Sequence, residues 1–259
     1  MKHLAVLTLT SAALLLASCS RDPRPSDLTT LTGTVVEGRF AQTGEYAGEL
    51  KTSPWTGGAG AVRGYMMAED GISEQPATTG ALAADGRFNL TLPTPAAAQL
   101  VTIDTDIWAG LDDEFGLGAD CSPQLSVSKN GVRSAVMMLE VEASKAGPVM
   151  PFVLALDQTP GKVKGDVRFG GLIYVDQSVT VQGSRTCTVG GIAVSTQVDL
   201  RLGKGWNKMQ FAVSADEAAR TGSTSITSGT LPSDWVFFGE GMSPLGTGSN
   251  LPRPAFLRQ

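Results

Sequence analysis

The amino-acid sequence predicts an all-β protein, with two β-sandwich-like halves at residues 31–118 and 119–238 and only short helical turns between strands. Three observations carry that expectation. Apolar and β-branched residues come in short runs, many alternating with polar ones, which is the period of a half-buried strand. Glycine-rich turns separate the runs, and 31 of the 259 residues are glycine. Only 17% of residues are charged, against about 25% in an average globular protein, while 42% are hydrophobic, enough to fill a core.

The chain opens with Met1, Lys2 and His3, a short positive stretch, followed by an apolar run over residues 4–17. That run has the length of a secretory h-region and is too short to span a bilayer. It ends in Leu16-Ala17-Ser18-Cys19, which resembles the lipobox of bacterial lipoproteins. The resemblance implies a signal peptide over residues 1–18, a lipid such as palmitate on Cys19, and export to the cell envelope. In the sorting pattern of such lipoproteins, a residue other than Asp after the cysteine, here Ser20, is compatible with an outer membrane. Residues 19–30 are polar and contain Pro23 and Pro25. They are expected to form an extended tether that holds the folded part off the lipid surface.

Residues 31–36 (LTGTVV) read as the first strand, residues 45–51 as a second and residues 62–68 as a third, with a Gly-rich loop at residues 56–60 and a turn at Asp70-Gly71. The loop is not a phosphate cradle, because no Gly-Lys-Ser/Thr follows it. Residues 81–93 read as a hairpin turning at Asp85-Gly86, with Phe88, Leu90 and Leu92 on one face and Arg87, Asn89 and Thr91 on the other. The early Gly-Thr-Val strand and the Asp-Gly-Arg-Phe hairpin ending in Leu-Pro resemble the carboxypeptidase regulatory-like domain, a small transthyretin-like β-sandwich. The resemblance covers residues 31–104 and implies an accessory module without catalysis. Thr94 and Pro95 are placed to open one helical turn, and residues 100–103 a short strand.

Residues 104–120 form the one dense charge cluster, with Asp104, Asp106, Asp112, Asp113, Glu114 and Asp120 and no Lys or Arg. Clustered carboxylates suit a hard cation such as Ca²⁺, although the EF-hand spacing is absent, and the plain alternative is a solvated loop with no cofactor.

In the second half, residues 124–128 and 132–141 flank Asn130-Gly131, the strongest hairpin signal in the chain. Leu125, Val127, Val136 and Met138 are expected to share a face. Strands follow at residues 152–156, 163–169 and 172–181, then a Gly190-Gly191 turn and a strand at residues 197–202. Gly203-Lys204-Gly205-Trp206-Asn207 is a Gly-rich turn before a strand running from Trp206 to Val213, and resembles strand–Gly-Trp-Asn–strand segments of bacterial envelope β-domains. Trp206 is expected to be a core residue beside a tight turn, with a sugar-stacking platform as the alternative. Ser214 and Glu217 have capping-box spacing, which predicts a short helix to Arg220. Residues 224–229 and 235–238 are the last strands, and residues 239–259 a tail.

The composition excludes several chemistries. The single histidine, His3, lies in the expected signal peptide, so the exported chain has no Ser-His-Asp triad, no Cys-His dyad and no histidine zinc site. A net charge of −5 argues against a nucleic-acid partner. With Cys19 spent on lipid, Cys121 and Cys187 remain as an even pair in an oxidising compartment, which predicts a disulfide. Ser126 and Lys129 match S-x-x-K, but in a predicted strand rather than at a helix start, and the companion motifs of that enzyme class are missing. Glu140 and Glu142 share a strand face and are the other carboxylate pair. Trp55, Trp108 and Tyr46 are candidates for stacking on sugar. The resulting expectation is a non-catalytic, lipid-anchored envelope protein acting as an interaction or structural module, its partner another envelope protein or a surface polysaccharide. The alternatives are a carbohydrate- or cation-binding surface lipoprotein and a carboxylate-based hydrolase.

Overall fold

The computed structural model describes residues 23–42, 48–68, 71–72, 75–103, 124–159, 162–189 and 191–239. These residues are almost all strand, with one 3-10 turn over Ala97–Gln99. Seven strands close into a ring. β1 (Thr30–Gln42) pairs with β6 (Arg87–Thr91), β6 with β5 (Thr78–Leu82), β5 with β3 (Gly60–Ala68), and β3 with β9 (Arg133–Glu142). β9 then pairs with β10 (Ala146–Thr159), β10 with β16 (Asp234–Phe237), and β16 returns to β1. Every pair is antiparallel except β1 with β16, which run parallel with Thr34 opposite Asp234.

Side-chain alternation fills the barrel. β6 carries buried Phe88 and Leu90 between exposed Arg87, Asn89 and Thr91. β9 points Ala135, Met137, Leu139 and Val141 to the same interior. Trp235 and Phe237 enter from β16, edge-on to Phe88 and Trp55 at 5.7 and 5.4 Å between ring centroids. Burying each such side chain contributes roughly 1.5–3 kcal/mol. β2 (Gly48–Pro54) pairs with β1 outside the ring, and β4 (Gly71–Ile72) with β3.

β11 (Lys162–Val175) leads out of the barrel. It pairs with β9 at one end, with β10 at the other, and along most of its length with β14 (Gly205–Asp216). From β14 the sheet continues through β15 (Thr221–Ser228), β13 (Ile192–Leu202) and β12 (Val179–Val189) to β8 (Ser126–Val127). β13 and β15 are parallel. The four residues 172–175 are buried on both faces: Leu172 and Tyr174 join the barrel core, Ile173 and Val175 a second core with Val181, Leu200 and Ile226. β11 is therefore a wall common to both interiors.

Several expectations need correcting. The expected break at residues 118–119 falls outside the described residues, and strands from either side of it pair with one another (β3 with β9, β1 with β16), so the two cores do not divide there. Residues 163–169 and 172–181 are not two strands: β11 runs through Gly170-Gly171, which stay paired with Gln210 and Met209, and the break comes after Val175. Asn130-Gly131 does turn the chain, but the flanking segments do not form a hairpin. β8 pairs with β12, because the edges of β9 are taken by β3, β7 (Val101–Thr102), β10 and β11. Leu125, Val127 and Val136 nevertheless pack on the second core. The expected helix at residues 214–220 is strand and turn. Ser214 is paired with Asp166 and Ser223 and its hydroxyl lies 2.7 Å from that of Ser223, while Asp216 accepts the Ala219 amide at 2.9 Å. The turn at Asp85 is centred on Ala84 and Asp85, with Gly86 following at φ 86, where a side chain is disfavoured. The 3-10 turn is bracketed by Ala96 and Gln99, whose side chain accepts the Ala96 amide at 2.9 Å, so Thr94 does not cap it.

Candidate functional site

The residues expected to form a tether are docked from Arg24 onward. Ser26 donates its amide to the Lys204 carbonyl at 2.8 Å, its hydroxyl donates to the Trp206 carbonyl, and Leu28 bridges Trp206. Thr29 accepts the Leu92 amide at 2.9 Å, which leads directly into β1. The socket for this segment is the Gly203–Asn207 turn. A Cβ on Gly203 would stand 1.9 Å from the Arg24 carbonyl oxygen, so only glycine admits the chain there. The Asn207 side chain accepts the Gly203 amide at 2.9 Å and donates to the Gly203 and Gly205 carbonyls at 2.7 and 2.9 Å, which fixes the turn from inside. Trp206 is 3% exposed, packs edge-on to Tyr174, and donates its indole N–H to the Pro93 carbonyl at 2.7 Å. Every residue of the Gly-Trp-Asn signal thus has a structural partner, and Trp206 is the core residue expected.

Two open grooves flank the docked segment. One, of about 660 Å³, is lined by Arg24, Lys129, Lys204 and Asp176 among others. The other, of about 350 Å³, lies along Ser26 and Leu28 and includes Arg201 and Lys208. Asp176 is bound by Arg133 at 3.1 Å and Asp199 by Arg201 at 3.4 Å.

A second polar constellation ties the barrel mouth together. Glu37 Oε1 on β1 accepts the Thr56 amide at 2.9 Å, the Thr56 hydroxyl at 2.5 Å and the Lys145 ammonium at 2.5 Å. Lys145 also donates to Thr56 Oγ1 at 2.8 Å, and Ser144 donates to the Gly57 carbonyl at 2.7 Å. Burial pushes the Glu37 carboxyl up, but the hydrogen bonds from Lys145 and Thr56 together hold it below the usual carboxylate value. With all three groups engaged on one another at the surface, the arrangement is a clasp between β1, the loop after β2 and the β9–β10 turn.

A third feature is the outer face of β12, β13, β15 and β14. Gln182, Ser184, Ser195, Gln197, Ser223 and Ser225 lie in register across it, with a groove of about 360 Å³ at Gln182 and Gln197.

The sequence candidates fall as follows. Cys19, Asp104, Asp106, Asp112, Asp113, Glu114, Asp120 and Cys121 lie outside the described residues, as do Tyr46 and Trp108. Among the described residues no group of three or more His, Cys, Asp or Glu could hold a metal ion. Cys187 sits on β12 with its sulfur 3.7 Å from the Val194 carbonyl oxygen. Ser126 is on β8 and donates to the Gln182 carbonyl at 3.1 Å, in a strand as expected. Glu140 and Glu142 face outward on β9, and Glu142 pairs with Arg63. Trp55 is 4% exposed, donates to the Gly58 carbonyl at 2.8 Å and is closed against Phe237, so it offers no face to a sugar. Sequence reasoning missed Glu37, Lys145 and the basic flanks of the socket. Nothing local signals the first pair, which lie 108 positions apart. The two glycines around Lys204 were the signal for the socket.

The chain matches no family model, no curated protein and no solved structure. No helix among the described residues is long and apolar enough to cross a membrane.

Proposed function

We propose that the protein is a lipid-anchored, exported cell-envelope module that binds a partner and catalyses nothing, held to an outer membrane through Cys19. The observation that carries this reading is the docking of residues 24–28 into the Gly203–Asn207 socket. The chain leaving the expected anchor is built into the fold, as befits a body whose placement beside a membrane matters. Two carboxylates support the non-catalytic part: Glu37 accepts from Lys145 and Thr56 through Oε1, and Glu142 is paired with Arg63 on an open strand face. The resemblance at residues 31–36 and 85–93 adds an accessory-module character. Those two pieces are neighbours, Thr34 lying opposite Arg87. Cys121 and Cys187 as a disulfide belong to the same oxidising location. The test is fractionation with a labelled fatty acid: wild type should incorporate label and float with membranes, and Cys19→Ser should do neither. Equal flotation of an unlabelled wild type and the variant would overturn the anchor. Turnover of a glycoside or ester by the purified protein would overturn the non-catalytic reading.

A second reading, carbohydrate binding, is favoured by the hydroxyl and amide face around Gln182 and Gln197. Surface polysaccharide offers matching hydroxyls, and Gln197→Ala should abolish retention on an immobilised polysaccharide column if this face is the site.

A further inference from the structure

We infer that the face carrying the docked N-terminal segment is a headgroup-contact surface, on which Arg24, Lys129, Lys204 and Lys208 meet the anionic phosphates of the bilayer that holds Cys19. The inference rests on the lipid-anchor reading and goes beyond it, since an anchor alone leaves the orientation of the body open. Two observations carry it. The first is reach. From Cys19 to Pro23, where the described chain begins beside Arg24, there are four residue steps, which span about 14 Å at full extension. Some of that length is spent crossing the headgroup layer, roughly 6 Å per leaflet. The docked segment therefore stands within about one Debye length, ~8–10 Å, of the phosphate plane. The described part of the expected tether adds no slack, because Ser26 is hydrogen-bonded to Lys204 and Trp206 and Leu28 bridges Trp206.

The second observation is charge. On a chain of net charge −5, the grooves on either flank of that segment gather Arg24, Lys129 and Lys204 on one side and Arg201 and Lys208 on the other. Among the described residues, the facing carboxylates are Asp176, held by Arg133, Asp199, held by Arg201, and Asp27, exposed on the docked segment itself. Among those same residues, cations outnumber carboxylates where the reach of the anchor forces closest approach. A basic side chain near an anionic surface strengthens association about fivefold.

The experiment uses the lipidated full-length protein reconstituted in vesicles of phosphatidylcholine alone or with one quarter phosphatidylglycerol, footprinted with an amine-acetylating reagent. Lys204 and Lys208 should be acetylated about fivefold more slowly on the anionic vesicles. Lys164, at the other end of β11, is the reference and should not change. Arg24→Gln should reduce the protection of Lys204, and high salt should remove it. Equal Lys204 rates on both vesicles, with the protein floating on both, would overturn the inference while leaving the anchor intact. Failure to float on either would instead overturn the anchor. Protection in native membranes but on neither vesicle would assign the face to a protein partner and also overturn the inference.

Discussion

In the barrel core Trp55, Phe88, Tyr174, Trp206, Trp235 and Phe237 meet, whereas every buried member of the second core is aliphatic apart from Met209. The two interiors differ in closure as well. Seven strands ring the first, while the second lies in the curve of an open sheet that ends at the two-residue strand β8. A closed ring encloses a wide interior that must be filled to solid density, and flat, stiff rings do so with few side chains. The curled sheet brings its own face together, and Val, Ile and Leu suffice. The difference also concerns distance along the chain. The longest pairing in the barrel joins β1 to β16, whereas in the second region no pairing reaches as far along the chain, and β12 meets β13 directly across the turn at Gly191.

The largest test of this contrast is Trp235→Ala. It removes the ring that meets Phe88 from the strand closing the barrel, and should cost about 3–5 kcal/mol in urea unfolding. Because β11 walls both cores, the fluorescence of a Trp108→Phe background, which reports Trp55, Trp206 and Trp235 of the barrel, should trace the same transition as far-ultraviolet dichroism. Two separated transitions would show that the interiors fold apart. The Cys121–Cys187 disulfide is the expected long-range staple on the open side. Unreduced, denatured protein should show no labelled thiol, and Cys187→Ser should lower stability by roughly 4 kcal/mol on the chain-entropy estimate. Two labelled thiols would sink the pairing.

Gly203→Ala should cost about 1–3 kcal/mol, since the new Cβ meets the Arg24 carbonyl. Its signature is loss of exchange protection at the Ser26 amide, with the barrel amides unchanged. The smallest effect belongs to the Glu37 clasp. The Glu37 carboxyl titrates lower in the folded than in the unfolded chain, so its contribution is complete above the ordinary carboxylate value of 4.5 and fades as pH falls through the folded value. Glu37→Gln should cost about 1 kcal/mol at neutral pH and flatten the acid limb of stability against pH. An unchanged acid limb would show that other carboxylates set it.

Strand alternation made β6 and the core of β9 legible, and Gly-Gly with flanking β-branched residues located the β12–β13 hairpin. What the sequence could not convey was partner choice. Asn130-Gly131 looks like a hairpin because its flanks alternate, yet β9 is drawn to β3 and β11, where Met137 and Leu139 find deeper burial than β8 offers. Ser214 and Glu217 have capping-box spacing, but Ser214 lies in β14, which is paired with β11 on one edge and β15 on the other from Met209 to Asp216, and that pairing outweighs a local helical preference. The candidate site was legible only in its glycines. Basic residues from positions 24, 129, 204 and 208 converge through topology alone.

The parallel pairing of β1 with β16 has a consequence for the order of events during synthesis. Thr34 is made early, and Asp234, its neighbour in the ring, some two hundred positions later. Until that last strand emerges, β1 has one bare edge and Trp235 is missing from the interior it completes. The barrel can be shut only once β16 has been made, which makes folding strongly non-local. A polypeptide built this way leaves its first strand waiting, unpaired along one edge, while the roughly two hundred residues between the two are made.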